Sequence, residues 1–191
     1  MKELVFLVEG EAERNLLDAL MPRLLPEGMG YRVIPFQGKQ DMEKRMGQRI
    51  RGYQNATARF IVLRDQDSHT DCVALKQGLQ ARCQGTGREA QCLVRIACTE
   101  LETFYLADLT AVAQALDIPS LSKHQENKKF RNPDHLGSPS RELKALTKNR
   151  YEKRAGSRAI GQYLSLDNTR SPSFKYFVAG IKRLTAELLD A

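Results

Sequence analysis

The sequence predicts an α/β protein: a parallel sheet with helices on both faces, followed by a basic C-terminal helical extension. Two observations predict it. Short apolar runs (Leu4–Val8, Tyr31–Gln37, Arg59–Leu63, Gln91–Ala97) alternate with helical patterns over the first hundred residues. The runs read as buried strands rather than half-exposed ones, as a parallel sheet covered on both faces requires. Acidic clusters then follow three of the runs: Glu9-Gly10-Glu11, Asp65-Gln66-Asp67 and Glu100-Leu101-Glu102. In such sheets ligands bind beyond the carboxyl ends of the strands, which is where the clusters fall.

The elements follow in order. After Leu4–Val8 a helix is expected from Glu11 to Leu25, with Leu16, Leu17, Leu20, Met21 and Leu24 as its apolar stripe and Pro26, Gly28 and Gly30 ending it. Asp41 to Tyr53 reads as a charged amphipathic helix with Met42, Met46 and Ile50 on its inner face. Asp71 to Cys83 is the next helix, and Gly85-Thr86-Gly87 turns the chain into the fourth strand. Beyond Glu100 the rhythm changes. Thr103–Leu116 is expected as one helix, 118–140 as loop, and Arg141–Glu152 as a basic helix. Ser171-Pro172 then forms an N-cap and N1 pair ahead of a last helix carrying Phe174, Phe177, Val178, Ile181, Leu184 and Leu188. Residues 1–116 are therefore expected to form the α/β core and 117–191 a basic loop and helical extension packing on it.

Composition narrows the function. With 41% apolar and 28% charged residues and no run of 18 apolar residues, the chain reads as a globular protein with no membrane span. Met1-Lys2-Glu3 leads directly into a strand rather than a secretory signal, so the cytoplasm is the expected location. Cys72, Cys83, Cys92 and Cys98 contain no Cys-x-x-Cys pair, and His69, His124 and His135 complete no zinc pattern. Cys92 and Cys98 are expected on one strand face as small core residues. The net charge is +7, and residues 123–158 hold eleven Lys or Arg against four Asp or Glu, a difference of +7. The rest of the chain is balanced, so the positive field that attracts polyanions belongs to one segment.

The clusters suggest a chemistry. Crowded carboxylates repel, and one takes up a proton unless a cation sits among them. Hard oxygen donors suit Mg²⁺ or Mn²⁺. Glu9 leaves a buried strand, and Gly10 is expected to turn the backbone sharply at the start of a helix whose free N–H groups favour an anion. Asp65 and Asp67, two residues apart in a curling loop, can reach one metal. Ser68 and Asp71 could cap the next helix or support the site, and His69 could protonate a leaving group. Glu100 and Glu102 should diverge, leaving Glu102 as the expected ligand. Each cluster alone also reads as an ordinary helix cap or Asx turn.

Taken together these residues resemble the TOPRIM fold, a Rossmann-like α/β arrangement whose pattern is a Glu-Gly after the first strand and Asp-x-Asp after the third. Glu9-Gly10 and Asp65-Gln66-Asp67 match it in type and order. The stretch Thr99-Glu100-Leu101-Glu102-Thr103-Phe104-Tyr105-Leu106-Ala107-Asp108 and the tail from Tyr151-Glu152-Lys153 to Ser171-Pro172-Ser173-Phe174 are similar to a TOPRIM-like group, domain of unknown function family 4276. The resemblance implies Mg²⁺- or Mn²⁺-dependent phosphodiester hydrolysis, with Glu9, Asp65 and Asp67 catalytic, these and Glu102 holding the metal, and Gly10, Glu13, Asp71 and Glu100 supporting them. Lys128, Lys129, Arg131, Lys153 and Arg170 would hold nucleic acid, and phage defence is a plausible setting. Topoisomerases of this fold use a tyrosine from another domain; none is evident here, so water fits better as nucleophile. The alternative is a non-catalytic nucleic-acid- or nucleotide-binding accessory protein working with a separate ATPase, because the chain has no phosphate-binding Gly-x-x-x-x-Gly-Lys-Ser/Thr loop. A phospho-accepting receiver would need a late-strand lysine that no strand clearly supplies.

Overall fold

The computed structural model describes residues 2–190. Four parallel strands, β1 (Glu3–Val8), β2 (Gly30–Pro35), β3 (Arg59–Asp65) and β4 (Cys92–Ala97), lie in the order β2-β1-β3-β4. β1 pairs Val5 with Arg32 on one side and with Phe60 on the other, and β3 pairs Val62 with Val94. Helices α1 (Glu11–Leu24), α2 (Lys39–Arg51) and α3 (Cys72–Cys83) make the crossovers. The central strands are buried at every residue but Arg59, which is why their sequence runs apolar without alternation.

The pleat divides the apolar residues between two cores. Leu4, Phe6, Val8, Ile61 and Leu63 face α1 and the C-terminal helices. Val5, Leu7, Phe60 and Val62 face Met42, Met46 and Ile50 of α2 and Leu75 and Leu79 of α3. The first core is the larger because the segment after β4 completes it. There α4 (Glu102–Leu106), α5 (Leu109–Ala115), α6 (Pro139–Leu146), α7 (Lys153–Gly161) and α8 (Pro172–Asp190) add Phe104, Tyr151, Ile160, Phe174, Phe177 and Ile181 to the same cluster. Phe104 stacks on Phe177 with centroids 5.9 Å apart. Among the described residues no helix is long and apolar enough to cross a membrane.

Several expectations are corrected. The helix expected over Thr103–Leu116 breaks at Asp108, whose carboxylate accepts from the Ala111 N–H at 3.0 Å and starts α5. The expected helix Arg141–Glu152 is shorter: α6 ends at Leu146 with Thr147 as its C-cap, Lys148 and Asn149 adopt positive φ, and α7 begins only at Lys153. The 118–140 segment is ordered by 3₁₀ turns at Pro119–Glu126, Lys128–Phe130 and Pro133–His135. Cys98 lies past the end of β4, and the fully buried thiol is Cys83. Ser171 does cap the last helix, its hydroxyl accepting from the Phe174 N–H at 3.1 Å.

α7 docks on α1 through small residues and polar ties. Arg23 donates to the carbonyls of Gly161 (2.9 Å) and Leu164 (2.8 Å), satisfying the C-terminus of α7. A Cβ on Gly161 would stand 2.9 Å from the Ala19 Cβ and 3.2 Å from the Leu16 carbonyl, neither of which can swing away. Gly161→Val should therefore lower stability by about 2–3 kcal/mol through overpacking, measured as a fall in the urea midpoint at unchanged slope; an unchanged midpoint would show the α1–α7 contact to be loose.

Candidate functional site

Val8 and Leu63 are cross-strand partners, so the chain leaves β1 and β3 side by side at the carboxyl edge. The pleat then sends consecutive residues to opposite faces: Asp65 follows Leu63 towards α1, and Arg64 follows Val62 towards α2. Two charged clusters result, back to back across the sheet edge.

The first centres on Asp65, only 5% exposed, with Oδ1 buried and without a hydrogen-bond partner. Burial, then the neighbouring Glu13 and Glu9 carboxylates, push its pKa well above the usual value, with Lys153 opposing them. Glu13, 4% exposed, sits in the first turn of α1, three residues after the N-cap Gly10, where its own backbone N–H and, less, that of Gly10 favour its charged form. Burial raises its pKa as well. Glu102 is fully buried; its Oε1 accepts from the Tyr151 hydroxyl at 3.0 Å while its Oε2 has no partner. The Tyr151 ring lies against Gly156, where a Cβ would come within 2.5 Å of it, so the glycine lets the tyrosine reach Glu102. Tyr105, also fully buried, packs 6.0 Å from Tyr151 and closes the apolar side. Lys153, at the first residue of α7, supplies the positive charge. Partial burial alone would lower its pKa, but Glu102, Asp65, Glu13 and Glu100 outweigh it and hold the ammonium protonated.

The second cluster centres on Arg64, whose side chain is 5% exposed. Its Nη1 donates to Glu9 Oε1 (2.7 Å), to Asp67 Oδ2 (3.1 Å) and to the Asp65 carbonyl, and Nη2 lies 3.6 Å from Glu43. Glu9 Oε1 also accepts the Asp65 N–H at 2.8 Å, joining the two clusters. Asp67 sits at φ +53°, a left-handed conformation that aspartate tolerates. Its N–H bonds to the Thr99 carbonyl at 2.7 Å, and its carboxylate meets Lys39 at 3.1 Å.

The structure thus brings Glu9, Glu13, Asp65 and Glu102 to one sheet edge but turns Asp67 to the Arg64 side, away from the pairing with Asp65 that its spacing predicts. Among the described residues no three His, Cys, Asp or Glu side chains stand where one ion could be held. The donor chemistry nevertheless fits a hard cation, because Asp65 and Glu102 each present a buried oxygen with no partner. Gly10 is extended (φ −169°) rather than sharply turned. Glu100 diverges from Glu102 and accepts the Ser140 N–H at 2.6 Å; Asp71 caps α3 through Val73 and Ala74. Of the expected nucleic-acid contacts, Lys153 faces the carboxylates, Lys129 pairs with Glu142 at 2.6 Å, and Arg170 lies 3.8 Å from Glu126. Arg131 Nε donates to the Glu126 carbonyl at 3.3 Å, and Lys128 is exposed. Three participants were not singled out by sequence: Arg64, Tyr105 and Tyr151. Arg64 carried a signal, a charge directly following the apolar run of a buried strand.

With this geometry the fold can be compared with known structures. The chain is similar to the C-terminal region of the Burkholderia pseudomallei OLD protein, with a TM-score of 0.53 and 15% identity over 95% of this chain and 98% of that one. It is similar also to the C-terminal region of the Xanthomonas campestris pv. campestris OLD protein, with a TM-score of 0.51 and 14% identity over 98% of both. These likenesses establish a TOPRIM-like α/β fold. A search of curated protein sequences gives no match. Residues 8–182 match the family model for domain of unknown function 4276, and the chain belongs to the DUF4276 family.

Proposed function

We propose that the chain is a divalent-metal-dependent nuclease that hydrolyses nucleic-acid phosphodiesters with water as nucleophile. The observation that carries this reading is Asp65: a carboxylate on a sheet edge, 5% exposed, crowded by Glu13 and Glu9, with one oxygen left unpartnered. Such an arrangement is unfavourable for a metal-free protein and suits one that takes up a cation. Asp65 and Glu13 would hold Mg²⁺ or Mn²⁺ with waters completing the shell, Glu9 and Glu102 standing beside them. When bound, the ion would supply Lewis-acid polarisation of the phosphate and lower the pKa of water.

The chain's own residues contribute the rest. Lys153, kept protonated by the carboxylates around it, places a point charge where a non-bridging phosphate oxygen could be held. Tyr151 fixes the direction of Glu102 through its 3.0 Å bond, and Tyr105 keeps water from the apolar side. Arg64 holds Glu9 and Asp67 in a preset orientation, so one Glu9 oxygen is already directed before any ligand arrives. The same pairing favours a second reading, a nucleic-acid-binding accessory protein, because Arg64 already neutralises two of the three expected catalytic carboxylates.

Two outcomes test the site. The folded pKa of Asp65 is raised, so the folded state binds the proton more tightly than the unfolded one. Its favourable contribution is complete below the usual value of 3.8 and is lost as pH rises through the raised value. In the presence of EDTA, Asp65→Asn should therefore melt higher than wild type at pH 7, with about 2–4 °C for each kcal/mol gained. The difference should disappear below pH ~4. Mn²⁺ should raise the wild-type melting temperature and leave Asp65→Asn unmoved.

In a cleavage assay with Mn²⁺ and labelled single-stranded DNA, RNA and plasmid, Asp65→Asn and Glu13→Gln should each lower the rate by about 10²-fold or more, the loss expected on removing a group that stabilises transition-state charge. Metal stabilisation without cleavage of any substrate would favour the accessory reading, and neither metal stabilisation nor cleavage would remove the nuclease reading.

A further inference from the structure

A concavity of about 920 Å³ runs along the open edge of the sheet, on the side of β2 away from β1. β2 residues 31–35 form its floor, α1 contributes Arg14 and Asp18 to one wall, α2 contributes Arg45 and Arg49 to the other, and Tyr53 closes one end. Four arginines face one carboxylate among its lining residues. Their ion pairs are weak: Arg14 lies 3.8 Å from Glu11 and from Asp18, and Arg32 lies 3.8 Å from Glu3. Only Arg45 has a close partner, Asp41 at 3.2 Å, one turn away on its own helix. Exposed pairs of this kind contribute little and leave the guanidinium groups available.

The groove also has a direction. Its Pro35 end adjoins the Glu9 corner, since Pro35 pairs with Val8, the Phe36 N–H bonds to the Val8 carbonyl at 2.9 Å and the Gly38 N–H to the Glu9 carbonyl at 2.9 Å. None of these arginines belongs to the basic segment 123–158, which carries the excess charge of the chain.

We propose that this groove holds the phosphate backbone of one nucleic-acid strand and leads it to the Glu9 corner, with the half-buried Tyr31 and Tyr53 offering ring surface to bases. The inference rests on the nuclease reading and adds to it a single-stranded substrate and a path. A charged groove with interleaved aromatic residues is the usual construction for single strands, and forked guanidinium groups suit phosphate. Addition of a peptide strand to β2 fits less well, because Arg32 within the edge and Pro35 at its end are features that block such pairing. A second copy of the chain would set the same arginines against each other.

Fluorescence anisotropy tests it with a labelled oligo(dT) of about 20 nucleotides in EDTA, so that no cleavage intervenes. The double variant Arg45→Gln/Arg49→Gln should bind about tenfold more weakly at low salt, and its salt slope should be shallower by about 1.4, the loss of two phosphate contacts on a single strand. Lys128→Gln/Lys129→Gln should change both less, and an unchanged urea midpoint will show each variant folded. Wild-type binding that the arginine variant leaves unaltered, or that only the lysine variant weakens, would overturn the groove while leaving the nuclease reading intact. Stronger binding of a duplex of the same length would overturn the single-strand assignment. Displacement of the oligonucleotide by a glutamate-rich peptide beyond the effect of equal ionic strength would overturn it in favour of a peptide. Failure of wild type to bind any nucleic acid at low salt would overturn the inference and the nuclease reading together.

Discussion

The constraint on which the site depends is the concentration of negative charge at the carboxyl edge of a parallel sheet. A parallel sheet ends all its strands at the same edge, and this chain places acids after three of the four. Burial makes the repulsion between them worse, because less water screens it. The structure meets the problem differently on its two faces. Towards α2, Arg64 is a fixed internal cation that satisfies Glu9 and Asp67. Towards α1, the Lys153 ammonium faces Asp65, Glu13, Glu102 and Glu100 together. Burial, with one monovalent charge against several carboxylates, leaves Asp65 with a raised pKa. That imbalance separates a face whose carboxylates are paired with a guanidinium from a face that keeps unpartnered carboxylate oxygens.

Much of this was legible in local pattern. The four strands, the three crossover helices and the position of each acidic cluster follow from apolar runs and breakers that lie within a dozen residues of one another. What escaped was decided by the pleat or by distance along the chain. The Asp65-x-Asp67 spacing says that both residues leave one strand; it does not say that Arg64 draws Asp67 to the opposite side or that Asp67 turns at φ +53°. Glu13 was readable only as a supporting acid, because its place beside Asp65 depends on Gly10 being the N-cap and on the angle at which α1 leaves the sheet. Lys153 comes from 88 residues beyond Asp65 and was read as part of a basic surface. No periodicity reveals that α7 packs on α1 and brings its first residue to the acids.

The break at Asp108 shows the same limit from another side. Apolar spacing from Phe104 to Leu116 is consistent with one helix, and only the tertiary use of Asp108 overrides it. One carboxylate oxygen of Asp108 starts α5, and the other accepts the Ser165 N–H at 2.8 Å from the chain after α7. A single residue thereby directs two segments that are 57 positions apart. Propensity describes the cost of a helix break but not what the break secures elsewhere.

The C-terminal extension is bound to the carboxylate edge rather than attached beside it. Glu100 accepts from Ser140 at 2.6 Å, the Thr99 hydroxyl donates to the Leu136 carbonyl at 3.0 Å, and Tyr151 bonds Glu102. Asp134 accepts from the Ser171 hydroxyl and the Ser173 N–H at 2.6 and 2.8 Å, tying the 3₁₀ segment to the start of α8. The first three bonds join the loop after β4 and the start of α4 to Leu136, Ser140 and Tyr151 of the later segment. The basic segment is therefore held at fixed distance from Asp65 by several short polar links and a shared apolar core. A flexible basic arm would raise the local concentration of a polyanion without orienting it. On the proposed nuclease reading, a basic segment fixed in this way would hold a phosphate in register with the carboxylates, a use for folding so polar a stretch into short turns rather than leaving it as a tail.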